Sequence, residues 1–269
     1  MSLAELVRAS TDVRNRVRPT ALDASNVLTF DIETFPAKVQ FDTYDLKLRN
    51  PYIHHTNVIR PGGMLCWSAK WYHQPHSVIY RDVRHPDMLT DLWKLLDHAS
   101  YMVTYNGDRF DWRKVRGYFA REGLTPPRQP KSIDLYKTAG TFGFESRSLD
   151  YACRMFGIRR KIDNGGAGNW RACLDGDEQA WKRMRTYCGG DVRATEDLFD
   201  AMRPWITNHP IMGYPGDDKT RCPRCLSTDV KDVGAVQAQV IRYRQYRCME
   251  CTGLFRTTMH SRAGQVKAL

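Results

Sequence analysis

Four of the eight cysteines fall into two C-x-x-C knuckles, Cys222-Pro223-Arg224-Cys225 and Cys248-Met249-Glu250-Cys251, with 22 residues between them. Each knuckle can bring two thiolates to one tetrahedral Zn²⁺. Four protein thiolates leave no open coordination position, so the spacing points to a structural four-cysteine site rather than a catalytic one. The run QVIRYRQYRC before the second knuckle alternates like a β-strand. Together these features predict a small β zinc ribbon over residues 220–262, a module too small to fold without its metal. Two disulfides or free thiols are the alternatives, and both fit a cytosolic chain poorly. Cys66, Cys153, Cys173 and Cys188 are scattered and read as ordinary reduced residues.

The rest of the 269 residues is long enough for one large domain with its own core. Lys and Arg exceed Asp and Glu by 41 to 30, a net of +11; residues 219–269 hold ten of these cations against three acids, a net of +7. Such an excess draws a polyanion by long-range attraction. Nucleic acid is the first candidate. An anionic membrane is the second, weakened because no stretch approaches the roughly 18 apolar residues of a membrane span. The opening MSLAELVRASTDVRNRVRP lacks the apolar run of a signal peptide, so the expected location is the cytoplasm, in association with the nucleoid. Residues 1–25 read as a polar N-terminal arm, and 208–219 (NHPIMGYPGDDK), rich in Pro, Gly and Asp, as a linker.

Between arm and linker the pattern moves from strands to interleaved helices. VLTFDIETF, from residue 27, is a β-prone apolar run that reads as a buried central strand. MLCWSAKW (64–71) and residues 77–81 add two strands, and an amphipathic helix follows near 87–98. YMVTYNG is a strand ending in a loop, and 110–122 is a helix closed by Pro126 and Pro127. KSIDLYKTA passes from strand to helix, SLDYACRMFGI is an amphipathic helix, IDNGGAGN is a glycine-rich loop, and a long helix spans 177–201. This order predicts an α/β domain over 26–207 with helices flanking a mixed sheet.

Asp31 and Glu33 lie two residues apart on the predicted first strand and so share a face, while Phe30 and Ile32 take the other. Two anions side by side on a buried strand repel and are costly to desolvate unless a hard divalent cation neutralises them. A pair at the solvent end of a strand would need no metal. Asp111 follows Asn106-Gly107 near the start of a helix, where an acid also serves as a cap or dipole partner. Tyr187 and Asp191, at i and i+4, share one face of the long helix. Gly189 and Gly190 between them each cost about 1 kcal/mol in a helix, which suggests close approach to the sheet or to a substrate; a surface tyrosine and aspartate with an incidental glycine pair is the alternative. Asp134 and Asp150 read as local turn or helix-start residues.

In this order the three segments resemble the DEDD exonucleases of the ribonuclease H-like superfamily, in the tyrosine branch that includes polymerase proofreading domains and ribonuclease D. D-x-E is matched by Asp31 and Glu33, N-G-x-x-F-D by residues 106–111, and Y-x-x-x-D by Tyr187 and Asp191. The sister branch would carry histidine at 187. The resemblance covers 26–205 and implies a ribonuclease H-like mixed sheet and two Mg²⁺ or Mn²⁺ ions. Asp31, Glu33 and Asp191 would hold one ion, Asp31 and Asp111 the other, and Tyr187 would orient the attacking water. The implied reaction is two-metal phosphodiester hydrolysis from a 3′ end, releasing nucleoside 5′-monophosphates. Oxygen ligands suit these hard ions, and a phenol with an ordinary pKa of about 10 is a poor base at neutral pH. The pattern, with CWSAKW and the PW after the last helix, is also similar to exonucleases of bacteriophages, for which the location would be the host cytoplasm.

Thr34 and Phe35 directly follow the first motif, where the family places residues beside the terminal nucleotide, and Asn106 is a third candidate contact. On the ribbon's predicted strand, Arg242, Arg244 and Arg247 interleave with Tyr243 and Tyr246, a mixture suited to phosphates and bases. Docking on a replication or repair protein is the rival role for the ribbon. Arg159, Arg160, Lys161, Trp112 and Trp170 are further candidates, each as readily solvated face or core. The expected partner is single-stranded DNA or DNA with a 3′ end, and RNA stays open because no motif residue reads the 2′-hydroxyl. The alternative from another class is a non-catalytic nucleic-acid-binding protein acting through the ribbon. The complete set of acids stands against it.

Overall fold

VLTFDIETF forms β1 (Val27–Phe35), around which the main sheet is built. The structure, a computed structural model, describes residues 27–44, 52–72, 74, 77–158, 167–207, 209, 219–238 and 241–257, with backbone alone at 167, 237, 238, 241 and 242. The N-terminal arm, residues 159–166 with Arg159, Arg160 and Lys161, most of the linker, residues 258–262 and the side chain of Arg242 lie outside the described residues. A short pair, β2 (Lys38–Val39) and β3 (Val58–Arg60), stands apart. β4 (Gly63–Trp71) lies antiparallel to β1, and β5 (Ile79–Asp82) antiparallel to β4. β6 (Tyr101–Thr104) runs parallel to β1, and β7 (Lys131–Asp134) parallel to β6, giving the order β5-β4-β1-β6-β7. The expected mixed sheet is present. The β2–β3 pair escaped the sequence reading because strands of two and three residues are too short to carry an alternation.

Helices cover both faces. α1 (Met88–His98) and α2 (Asp111–Arg121) pack Leu92, Leu96, Val115 and Phe119 against Leu28, Phe30 and Ile32 of β1. α3 (Leu135–Ala139), α4 (Leu149–Met155), α5 (Ala167–Leu174) and the long α6 (Glu178–Met202) take the opposite face, where Val27, Val103 and Leu65 are buried. Burial of a side chain such as Phe30 contributes about 2–3 kcal/mol. A register slip of one residue would instead drive Asp31 and Glu33 into the α1–α2 core, so the apolar set of β1 fixes where its acids point. Asp177 starts α6 by accepting from the N–H groups of Gln179 (2.8 Å) and Ala180 (3.2 Å).

One boundary differs from expectation. The glycine-rich loop predicted to reach Asn169 gives way at Ala167 to α5. Packing overrides the local cost of Gly168: Cys173 and Trp170 join the core beneath α6, and Asn169 Oδ1 accepts from Arg183 Nε at 3.0 Å. In the C-terminal part, β8 (Val230–Ala238), β9 (Ile241–Cys248) and β10 (Leu254–Arg256) form a separate sheet ordered β10-β9-β8. β9 is the strand expected from QVIRYRQYRC. Among the described residues, no helix is long and apolar enough to cross a membrane.

Candidate active site

β6 pairs with β1 only at Val27, Leu28 and Thr29, whereas β4 follows β1 along most of its length. Beyond Thr29 the β6-side edge of β1 therefore needs another partner for its backbone. Asp111, the first residue of α2, supplies one: the Ile32 N–H donates to Asp111 Oδ1 at 3.1 Å. Alternation sends Asp31 and Glu33 toward α6, where Asp191 waits, and one carboxylate oxygen from each of the three lies within 4.8 Å of the others. At an effective dielectric of about 20, two unit charges 4 Å apart repel by roughly 4 kcal/mol. A cation seated among the three carboxylates would turn that repulsion into attraction.

Asp111 and Asp191 are each only 4% exposed, while Asp31 and Glu33 are half-buried. Burial pushes the Asp111 carboxyl up to about 6, helped by nearby Asp134 and opposed by the Ile32 N–H. Its full charge thus calls for a positive partner. Burial is also the main cause that holds the Tyr187 phenol well above its ordinary range, with the carboxylates of Asp191, Glu33 and Asp31 adding to it. Tyr187 is accordingly a protonated donor rather than a base.

The Asn106-Gly107 pair is explained by its backbone. Asn106 has φ 65°, a left-handed conformation that asparagine tolerates better than most residues. A Cβ on Gly107 would lie 2.4 Å from Thr104 Oγ1, so only glycine fits. Asp134 caps α3 by accepting from the Tyr136 N–H at 3.1 Å, as expected of a helix-start residue. It also accepts from the N–H groups of Asn106 (2.7 Å) and Asp108 (3.3 Å), clamping the loop that leads into Asp111. Asp150 sits in the first turn of α4, again as expected.

Two features of α6 modify the sequence reading. Cys188, read only as an ordinary reduced cysteine, is fully buried with its thiol 3.7 Å from the Asp31 carbonyl oxygen and 3.8 Å from Asp31 Oδ2. Burial pushes the thiol well above its ordinary pKa, so it faces Asp31 as a neutral donor. The only sequence signal was its place next to Tyr187. Gly189, expected to permit close approach to the sheet, has room for a methyl group: an added Cβ would meet Val78 Cγ1 at 3.6 Å and Ser68 Oγ at 4.0 Å, both ordinary contacts.

A bulge falls between Glu33 and Thr34, where β1 leaves the acids. Just beyond it the Phe35 ring is held between Gly63, where a Cβ would come within 2.4 Å of Phe35 Cζ, and the Arg60 guanidinium, 4.7 Å from the ring centre. Trp112 and Trp170 pack against core clusters and act as core residues.

Residues 65–203 match the family model of the RNase H superfamily. The chain belongs to the RNase H superfamily. The match takes in Asp111, Tyr187 and Asp191 and starts beyond Asp31 and Glu33. No curated protein matches the chain. Among solved structures it is similar to the family B DNA polymerase of the hyperthermophilic archaeon Pyrobaculum calidifontis, at 17% identity and a TM-score of 0.50 over 66% of this chain and 24% of that one. This chain thus corresponds to about a quarter of that polymerase's length, and the likeness shows a shared fold.

Beyond the RNase H sheet lies a second cluster. The sulfur atoms of Cys222, Cys225, Cys248 and Cys251 all lie within 4.8 Å of one another, with Cys222 to Cys251 and Cys225 to Cys248 each 3.5 Å apart and no disulfide among them. Four buried thiols this close fit a tetrahedral ion at bond lengths of about 2.3 Å. Each knuckle is followed by a left-handed residue, Leu226 (φ 59°) and Thr252 (φ 60°), a strain that the turn imposes on two unlike side chains. Arg224, 6% exposed, ties the cluster to the RNase H domain: its Nη1 donates to the Leu254 carbonyl (2.7 Å) and its Nη2 to the Ile206 carbonyl (2.8 Å).

The candidate nucleic-acid contacts of β9 engage neighbouring residues of the same three-stranded unit. Arg244 pairs with Asp232 at 2.7 Å, Arg247 donates to the Thr252 carbonyl at 3.1 Å, Tyr246 stacks on Phe255, and Arg256 lies over Tyr243 at 4.4 Å. Arg244 and Arg247 remain exposed, and the two tyrosines are half-buried.

Proposed function

We propose that this chain is a metal-dependent 3′-to-5′ exonuclease of the tyrosine-branch DEDD type, with a nuclease domain over 26–207 and a four-cysteine zinc ribbon over 220–262. The observation that carries this reading is the convergence of Asp31, Glu33 and Asp191 beside a protonated Tyr187, with Asp111 bonded to the Ile32 backbone between the first two acids. Two Mg²⁺ or Mn²⁺ ions would make water more acidic and offset charge on the leaving 3′-oxygen. Asp31, Glu33 and Asp191 would hold one of them. Asp31 and Asp111 would hold the other. Tyr187 would donate a hydrogen bond that orients the attacking water, and Cys188 would steady the Asp31 carboxylate. Zn²⁺ in the four-cysteine cluster is structural, because four thiolates fill its coordination.

The substrate of this reading is single-stranded DNA or a DNA 3′ end, with Thr34, Phe35 and Asn106 near the terminal nucleotide and Tyr243, Arg244 and Tyr246 of the ribbon on the strand. RNA is the second substrate to try. The test compares 5′- and 3′-labelled DNA and RNA strands with Mg²⁺ or Mn²⁺. A 5′ label should give a shortening ladder and a 3′ label should appear at once as a nucleoside 5′-monophosphate. The reverse pattern, or internal cuts, would overturn the proposed polarity.

A further inference from the structure

We propose that the groove between α2 and residues 34–37 carries the phosphate backbone of the single strand leading into the site, an inference that rests on the nuclease reading above. The groove encloses about 590 Å³, with Thr34, Phe35 and Gly62 among its lining on one side and Arg113, Lys114, Gly117 and Arg121 of α2 on the other. Both walls start at the acids. Thr34 follows Glu33 along the chain, and α2 begins with Asp111. A polymer leaving the carboxylates in this direction enters the groove.

The cations of the groove are only partly engaged within the fold: Lys114 lies over the Phe110 ring at 5.3 Å and Arg121 over the Tyr118 ring at 5.4 Å. Arg113, Gly117 and Arg121 are spaced at i, i+4 and i+8, with Lys114 adjacent, so one helix face presents three cations to the same space. No acid lines the groove, and among the described residues neither Arg113 nor Lys114 has a carboxylate within ion-pair distance. Arg121 pairs with Glu122, its exposed neighbour in sequence. An anionic chain laid along this face would neutralise all three cations. Gly117 is the second sign. It sits in the middle of α2, where glycine weakens a helix, yet a Cβ there would meet nothing within 4 Å. No contact within the fold calls for it, whereas a bare backbone at the centre of the groove lets another backbone approach closely.

The test is equilibrium binding of a fluorescent single strand of about twelve nucleotides to the full chain without catalytic metal, followed by anisotropy across a salt series. Gly117→Glu puts bulk and negative charge into open space and replaces glycine with a better helix former, so the fold is retained. Its expected effect is a tenfold or greater loss of affinity. Arg113→Ala with Lys114→Ala should flatten the dependence of log affinity on log salt by about 1.4, at about 0.7 per lost phosphate contact. Lys94→Ala with Arg128→Ala removes the same charge from exposed sites elsewhere and should change affinity far less. Groove variants that bind like the wild type, or a control pair that loses as much as the groove pair, would overturn the proposal. A wild type that binds the strand but leaves it uncut in Mg²⁺ would sink the nuclease reading while leaving the groove standing.

Discussion

The carboxylate and cysteine clusters differ in what holds them in place. Asp31 and Glu33 come from the middle of a buried sheet and Asp191 from a helix far along the chain, so their convergence is inherited from α6 packing on β1 through an apolar core. The four cysteines come from two short knuckles, and among the described residues only Val230 and Phe255 pack against them as partly buried hydrophobic residues. In the first region the fold makes the site, so a metal can leave without the sheet coming apart. In the second the site makes the fold, because so small a module has little else to offset its chain entropy. Under the proposed function the same contrast matters for turnover: the first region would release and rebind hard ions, and the second would not.

Stripping metal should separate the two regions most sharply. Chelation, or Cys248→Ser, should unfold the ribbon, since structural zinc supplies on the order of 10–16 kcal/mol to small modules, while the RNase H domain keeps its melting transition. A ribbon that keeps its amide-exchange protection under chelator would break the comparison. Asp191→Asn should lower nuclease turnover at least a thousandfold, about 4 kcal/mol of barrier. Its melting temperature should hold or rise, because the change relieves repulsion with Asp31 and Glu33, and a large drop would show that the acids support the fold. Gly107→Ala should cost about 1–3 kcal/mol in denaturant unfolding, because its methyl meets Thr104. Adding Thr104→Ala should recover part of that loss. The smallest effect is a gain: Gly117→Ala should raise unfolding free energy by about 0.5–1 kcal/mol, since the new methyl meets open space.

What could be read from the sequence follows the same division. β1 announced itself because an alternation of apolar and acidic residues encodes both strand and face, and the knuckles did so because ligand spacing is local. The features that remained hidden are contacts between distant positions. The Cys188 thiol meets Asp31 across 157 positions, Asp134 clamps Asn106 across 28, and Arg224 reaches Ile206 across 18. None of these residues looks unusual beside its own neighbours. α5 was hidden for the opposite reason, since the local signal of Gly168 pointed to a loop and the packing of Trp170 and Cys173 decided otherwise.

Under the proposed function, the Asp31, Glu33 and Asp191 cluster performs metal-dependent hydrolysis on a prefolded sheet. Its most direct test is a time course on a 5′-labelled single strand in Mg²⁺, comparing the wild type with Asp31→Ala and monitoring both proteins by thermal melting. The expected result is a ladder that shortens from the 3′ end with the wild type, an intact strand with the variant, and melting curves that match. An intact strand with both proteins, or equal cutting by both, would contradict it.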